Sequence, residues 1–588
     1  MFSAGDFSTS FKSIYTIDNN VDTKIQHRID LTNNQPNTFA SEYALNIGAI
    51  SITDIKAYDA SGNLPLTTDR KQTSTTVKVN LEPRPVVGTG KTKSFTIEYQ
   101  SPDVASYVGK ILEVNTPRMS NANEFDTFEI ILEVPIKYGS PSVIIPQPES
   151  ITANSAKNIL KFSGGRVSGI SAVFGTSQIF KFDLDYYLEN QASTKDTQAI
   201  TLVPDTAYQQ VTYEKITPGP DSYDVDSDGN WLAKYTLTPN QKLAIKITGS
   251  VETLMKPIIN AVSAKPSDNL SPAQYWQSDD EEIVDLAKQL KTPQAIYDYV
   301  VEKLRYDYSK VENNGARLGA KLALSQPDKA ICTEFTDLFI ALARAAGIPA
   351  REMNGFAFTQ NPKLRPLSLT KDILHAWPEY WDSTLARWIP IDPTWGNTTD
   401  GVDYFSKLDF NHVVFAIHGA SSVSPLPAGF YKTNDFQGKT VAIEPAQTGV
   451  RPTSLLEIKL PLPESLPTYK KYKTTLTVTN WGNQAVYNLP LTLSLPQQFI
   501  NSYPKQIKIL LPFQTMEIPL TIKPISLFDS ASFPLQVKIG TAVQNYELEF
   551  KSPVTKNQAV FVAISAAAVI FGLAAVISRR LYFQRQKP

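Results

Sequence analysis

A single cysteine, Cys332, stands in 588 residues, and it opens the run CTEFTDLFIALARAAGIPAR, which ends at Arg351. Phe335, Leu338, Phe339 and Leu342 recur at helical spacing, Gly347 supplies a stop and Pro349 cannot continue the helix. The pattern predicts a helix from about Cys332 to Ala346 with the thiol in its first turn. Free amides and the helix dipole at that end favour an anion, which suits a thiolate nucleophile, and the same amides can donate to an oxyanion. A thiolate also needs a proton acceptor and a group to orient that acceptor. His375 follows in LHAWPEYW, where a strand would put His375, Trp377, Glu379 and Trp381 on one face. Asp392 follows in WIPIDPTW, after a strand-like run and held extended by Pro393. Two adjacent antiparallel strands would set Asp392 beside the imidazole, fixing its tautomer and stabilising the imidazolium. Taken singly, these are a core cysteine, a satisfied histidine and a turn aspartate; their order and proximity in one stretch favour chemistry.

Other chemistry is thinly represented. Four histidines (His27, His375, His412, His418) and one cysteine offer no structural zinc spacing and no intrachain disulfide, so no metal and no cofactor is expected. His412 and His418 flank the strand-like run Val413–Ile417 and are read as structural. The run from Asp224 to Asn230, DVDSDGN, resembles the front of a calcium loop, but Tyr235 stands where a bidentate Glu is required. A β-hairpin between Ser222–Val225 and Trp231–Leu237 is the reading adopted.

The elements that must position these residues follow from pattern. Lys plus Arg is 56 and Asp plus Glu 57, a balance that excludes a nucleic-acid footprint. Forty-one prolines and many short Val/Ile/Thr/Tyr runs argue against an all-helical chain. Residues 1–255 read as all-β, with turns such as the one at Gly164-Gly165 and a break near Gln100–Ala105, giving a β-sandwich over 1–105 and a second β domain over 106–255. Helical periodicity begins at Ser278: Ile283, Leu286, Ala287 and Leu290 share a face, and Thr292-Pro293 opens a second helix carrying Ile296, Val300 and Leu304. Residues 275–420 are therefore the α+β domain that holds the candidate site. A Pro- and Gly-broken linker is expected over 421–450, then seven short strands over 451–552 of the size of an immunoglobulin-like sandwich.

The motifs C-T-E-F-x-x-L-F-x-A-L-A-R-A-x-G-I-P-A-R, H-A-W-x-E and W-x-x-x-D-P-T resemble those of the transglutaminase-like (papain-like) superfamily. The resemblance covers about residues 280–420 and implies Cys332 as nucleophile, His375 as general base and later acid, and Asp392 as orienting carboxylate. It also implies a structural role for Arg344, Gly347, Pro349 and Arg351. The chain departs from the pattern at Ala330-Ile331, where members often carry Gly. The family's upstream oxyanion donor falls to Tyr306 or Tyr308. The short gap from Cys332 to His375 argues against a papain-type protease.

Residues 559–577, AVFVAISAAAVIFGLAAVI, carry no charge and no Pro and, at about 1.5 Å per residue, span roughly the hydrocarbon core of a bilayer. Arg579, Arg580, Arg585 and Lys587 follow. A transmembrane helix over 559–578 and a cytoplasmic basic tail over 579–588 are expected, with the bulk of the chain extracytoplasmic. The first residues, MFSAGDFSTSFKSIY, lack the apolar stretch of a signal peptide, so either the true start lies upstream, which is the reading adopted, or the protein is tail-anchored with its bulk inside the cell. The whole is expected to be a multidomain, membrane-anchored cysteine enzyme acting on a peptide or protein substrate, cell-wall peptide among the candidates, by hydrolysis through a thioester. The alternatives are an inert adhesion or scaffold protein and a true cross-linking transglutaminase. Membrane lipid is the expected partner of 559–578, and no nucleic acid is expected.

Overall fold

The computed structural model describes residues 6–585 apart from 49, 72–73, 118–124, 165–168, 259–265, 313–314, 360–364, 367–373, 400–401, 407, 434–435, 437, 469, 496–502, 524–529 and 553–555. The chain is mostly β, with a central α+β region and a long apolar helix at its C-terminal end. The turn expected at Gly164-Gly165 lies partly outside the described residues.

The first unit does not stop at residue 105. Strand Phe7–Ile17 pairs antiparallel with Thr23–Asn33 and parallel with Thr127–Pro135, and Lys157–Ser163 adds beyond it. One core runs from Phe11 to Phe174. The expected break is only a bend between strands Thr92–Ser101 and Ala105–Val108; the partner that closes the sheet returns from far along the chain. The division falls instead between Phe174 and Ser177.

The second unit packs the sheet holding Ser177–Glu189, Gln209–Thr217 and Lys242–Leu254 against a three-stranded sheet. It also recruits Val441–Ala446, which pairs with Ile179–Leu184. The expected linker over 421–450 is thus partly an edge strand, where Pro445 is tolerated because an edge leaves one row of amides unpaired. The DVDSDGN run forms the expected hairpin, not a cation loop. Asp226 Oδ1 accepts from the Asp228 and Asn230 amides, while Asp228 Oδ2 accepts from the amides of Gly419 and Ala420 in the central unit.

The central unit contains six of the seven α-helices among the described residues: α1 (Glu281–Leu290), α2 (Pro293–Lys303), α3 (Tyr308–Glu312), α4 (Ala320–Ser325), α5 (Cys332–Ala345) and α6 (Pro393–Thr398). α5 is wrapped by the others and packs on a sheet of order Arg387–Pro390, His375–Asp382, Ala350–Ala357, His412–His418. Strand His412–His418 is a sheet edge, and two side-chain amides from the second unit occupy its free backbone groups. Gln209 Nε2 donates to the Val414 carbonyl and Gln209 Oε1 accepts from the Val414 amide. Asn230 does the same at Ile417. These bonds cap an edge that would otherwise present unpaired donors and acceptors.

Gly355 permits the close approach of that strand: a Cβ there would lie 1.9 Å from the Val413 carbonyl oxygen. Gly355 is also opposite His375 in register. Gly355→Ala is expected to cost about 2–3 kcal/mol of stability through overpacking against rigid backbone, read as a lowered urea midpoint of the central unit.

Residues 456–551 form two facing sheets around one apolar core, with eight strands among the described residues where seven were expected. α7 (Lys556–Gln584) then stands alone; apolar side chains such as Phe561 and Phe571 are about three-quarters exposed at 74% and 76%. It is long and apolar enough to cross a membrane.

Candidate active site

Cys332 is the first residue of α5, as expected, and the end of that helix is unusually well tied. Glu334, buried and three residues past Ile331, accepts from the Ile331 amide at 2.9 Å. Its other oxygen accepts from the Leu318 amide at 2.8 Å and pairs with Lys310 at 2.9 Å. The carboxylate thus fixes the helix start and the loop before it together. At the other end, Gly347 takes φ +80° and Ile348 closes on the Ala343 carbonyl. Arg344 then binds the carbonyls of Ala350 and Gly419 and stacks on Trp276, so the helix is fastened to two strands of the sheet.

His375 opens its strand and Asp392 follows the neighbouring antiparallel one. Asp392 is also the N-cap of α6, a role its sequence context D-P-T-W signals but the strand reading passed over. Oδ1 accepts from the amides of Thr394 at 2.9 Å and Trp395 at 3.1 Å. Oδ2 meets His375 Nε2 at 2.9 Å. An ionised carboxylate only accepts, so Nε2 carries a proton. The other ring nitrogen, Nδ1, is buried with no hydrogen-bond partner among the described residues, and Cys332 lies near enough to the ring to raise its pKa.

Burial alone would push the His375 imidazole down; the Asp392 carboxylate, with Cys332 beside the ring, outweighs it and raises the pKa to about 10. Burial would raise Asp392, but His375 and His412 hold its carboxyl well below the usual carboxylate range. Trp377 and Trp395 stack on the His375 ring at 5.9 and 5.3 Å, excluding water from the pair. Of the three side chains that the sequence reading joined, His375 and Asp392 are in direct hydrogen-bond contact, and Cys332 is near enough to act on the His375 charge.

Residues 281–393 match the Transglutaminase-like superfamily core. The chain carries a transglutaminase-like core domain. Among solved structures, it is similar to a candidate cysteine protease from Cytophaga hutchinsonii, at 20% identity over 46% of this chain and 98% of that one, with a TM-score of 0.29. It is similar to the periplasmic domain of TgpA from Pseudomonas aeruginosa bound to ethylmercury, at 16% identity over 38% and 91%, TM-score 0.21. It is also similar to a candidate protease from Parabacteroides distasonis, at 12% identity over 89% and 94%, TM-score 0.19. No curated protein matches. Likeness at this level transfers no activity.

In the transglutaminase-like core, the two oxyanion candidates separate. Tyr308 is exposed at 48%. Tyr306 is held by a bridge to Ala330, two residues before the cysteine, and its buried hydroxyl has no hydrogen-bond partner among the described residues. Burial raises the Tyr306 pKa strongly and Cys332 raises it further, so this hydroxyl stays neutral.

Cys332 is 1% exposed, and His375 and Asp392 are as deeply buried. The three side chains are shut off from solvent in this conformation.

Two residues beyond the matched stretch complete the site, and the sequence reading assigned neither to it. His412 Nε2 lies 3.3 Å from Asp392 Oδ2, and its Nδ1 lies 2.8 Å from Asp409 Oδ1. His412, read from the sequence as structural, thus lies against the candidate carboxylate; the D-x-x-H spacing of Asp409 and His412 was the available signal. His418 fits that reading, bonded to the Pro425 carbonyl and Glu352. The ligand atoms of His375, Asp392 and His412 lie within 4.8 Å of one another. One oxygen, Asp392 Oδ2, serves both rings, which links the three side chains in one hydrogen-bonded chain.

Proposed function

We propose that this protein is a membrane-anchored cysteine enzyme that cleaves peptide or carboxamide bonds through a thioester. The observation that carries the reading is the orientation of His375: Nε2 is committed to Asp392 and Nδ1 is left to the only thiol in the chain. The sulfur attacks the carbonyl carbon, forming the S–C bond. The His375 imidazolium gives its Nδ1 proton to the leaving amine as the C–N bond breaks. Water then adds to the thioester, losing a proton to His375, and the C–S bond breaks to release acid and thiolate. An amine in place of water would give cross-linking by the same steps. Tyr306 and the first amides of α5 face the oxyanion.

The substrate class is peptide or protein, with cell-wall peptide a candidate for a surface enzyme. α7 is the proposed anchor, since a lone apolar helix needs lipid around it. The cations after it favour a cytoplasmic tail and an extracytoplasmic catalytic core. Protease added to intact cells would then remove residues 1–555; full protection would reverse the topology.

The test is labelling of the full chain in detergent with a thiol-directed acyl probe. Stoichiometric labelling at Cys332, lost in His375→Ala, is expected. The burial of all three side chains supports a second reading, an inert scaffold, which predicts a thiol equally slow in the unaltered chain and in His375→Ala. Tyr306→Phe is expected to lower kcat about 10²-fold with KM little changed, once a substrate is in hand, as measured by steady-state turnover.

A further inference from the structure

The His375–Asp392 pair is not the end of the polar chain that begins at the sulfur. Behind it lies a second imidazole whose two ring nitrogens each face a carboxylate oxygen, Asp392 Oδ2 at 3.3 Å and Asp409 Oδ1 at 2.8 Å. Carboxylates only accept, so a ring placed between two of them donates from both nitrogens and is an imidazolium. His412, Asp392 and Asp409 are all buried, where such charge-assisted bonds are strong and a missing partner is costly. The remaining faces of His412 are apolar: Trp395 at 4.6 Å and Trp377 at 4.8 Å between ring centroids.

The chain of charges continues outward. Asp409 interacts electrostatically with the partly buried Arg365 guanidinium, which lies over Trp395 and Tyr404 and is paired with Glu113 of the first β unit. Charges therefore alternate from Glu113 through Arg365, Asp409, His412 and Asp392 to His375. The Tyr404 hydroxyl, also buried, is raised well above its ordinary pKa and stays neutral.

We propose that His412, held by Asp409, is a positioning residue that clamps the Asp392 carboxylate in the orientation and charge state His375 requires. Oδ1 is held by the Thr394 and Trp395 amides and Oδ2 by His375, and His412 adds a second charged contact to Oδ2. The clamp explains why strand His412–His418 is fixed so firmly by Gln209 and Asn230: the second β unit sets the position of the strand that bears the clamping ring. This couples a non-catalytic module to the geometry of the site.

A cation in that place has a directional consequence. It stabilises Asp392 as an anion and favours the thiolate further along the chain. It also opposes the His375 imidazolium, whose ring centroid is 5.6 Å away. Replacing it by a neutral donor makes the thiolate harder to form and the imidazolium harder to deprotonate, and both changes move the reactivity profile to higher pH. The charged and titratable groups facing His412 are those named: Asp409, Asp392 and His375 directly, Arg365 and Tyr404 behind Asp409.

The experiment follows the rate of alkylation of Cys332 by iodoacetamide against pH, in the full chain in detergent. Opening of the buried site scales the rate and leaves the midpoint in place. His412→Gln, which keeps a donor but not the charge, is expected to move the midpoint upward by about one pH unit. His412→Phe, which keeps neither, is expected to lower the plateau rate about tenfold as well. A folded His412→Gln chain with an unmoved midpoint overturns the proposal. If that variant does not fold, Asp409→Asn is expected to give a smaller upward shift, and no shift overturns the proposal. In the unaltered chain, the resonances of labelled histidine report the charge of His412 directly, and a neutral ring at pH 7 also overturns it. The effect on the thiol rests on the proposed function. A Cys332 without pH-dependent reactivity would sink that function, while the histidine resonances would still judge the clamp.

Discussion

Asp392→Asn is expected to cut turnover by about 10⁴-fold while leaving the fold in place. The asymmetry comes from the two oxygens of this carboxylate. Oδ1 caps α6 through Thr394 and Trp395, and Asn is as good an N-cap as Asp. The helix therefore keeps its start, and Trp395 keeps its place against the His375 ring. Oδ2 serves His375 and His412, and an amide nitrogen placed there would donate where an acceptor is needed. His375 would then turn its Nδ1 proton toward the sulfur and lose its role as base. The measurement is turnover beside a urea unfolding curve. A lowered midpoint, because the buried charge partner of His375 and His412 is lost, together with turnover down by orders of magnitude in the still-folded chain is the expected pair of results. Unchanged turnover would remove Asp392 from the catalytic set.

The same contrast explains what the sequence made legible. Cys332 could be placed at a helix start because periodicity, Gly347 and Pro349 are all local signals, and Glu334 reinforces them with a bond that spans three residues. The antiparallel approach of the His375 and Asp392 segments was legible for a related reason, since the turn between their strands is short. His412 was not. Its function depends on an edge strand brought to Gly355 by the absence of a Cβ and capped by Gln209 and Asn230, residues far away in sequence. Asp226, Asp228 and Asn230 invited a cation reading because oxygen-rich loops serve either purpose; here they turn the backbone and clasp the central unit. The break expected near residue 105 failed because no local signal announces that Thr127–Pro135 lies parallel beside the first strand. The small helix α6 was hidden by the prolines that make its preceding strand look continuous.

Stability should depend on pH with opposite sign in the first and central units. In the central unit the His375 pKa is raised, from an ordinary 6.5 to about 10. Its contribution is fully present below the unfolded value and is lost as pH rises through about 10. The Asp392 pKa is depressed, so its contribution is present above the ordinary carboxylate range and is lost as pH falls below it. The two overlap from about pH 4 to 6.5, which is where the central unit gains most from them. In the first unit His27 is buried between Ser13 Oγ at 2.8 Å and Tyr99 Oη at 2.9 Å, with no carboxylate to compensate. Burial lowers its pKa from 6.5 to about 3. An unfolded chain takes up that proton before the folded one does, so the first unit loses stability as pH falls from 6.5 toward 3. A multidomain chain has no single unfolding free energy, so the measurement must resolve the units. Pulse proteolysis across a urea series, with fragments identified by mass, does so. Between pH 7 and pH 5 the midpoint of residues 7–174 is expected to fall while that of the central unit holds or rises; between pH 7 and pH 10 the order reverses. His27→Gln should flatten the first slope and His375→Gln the second. Parallel shifts of both units would mean that the charge states assigned to these two buried rings are wrong.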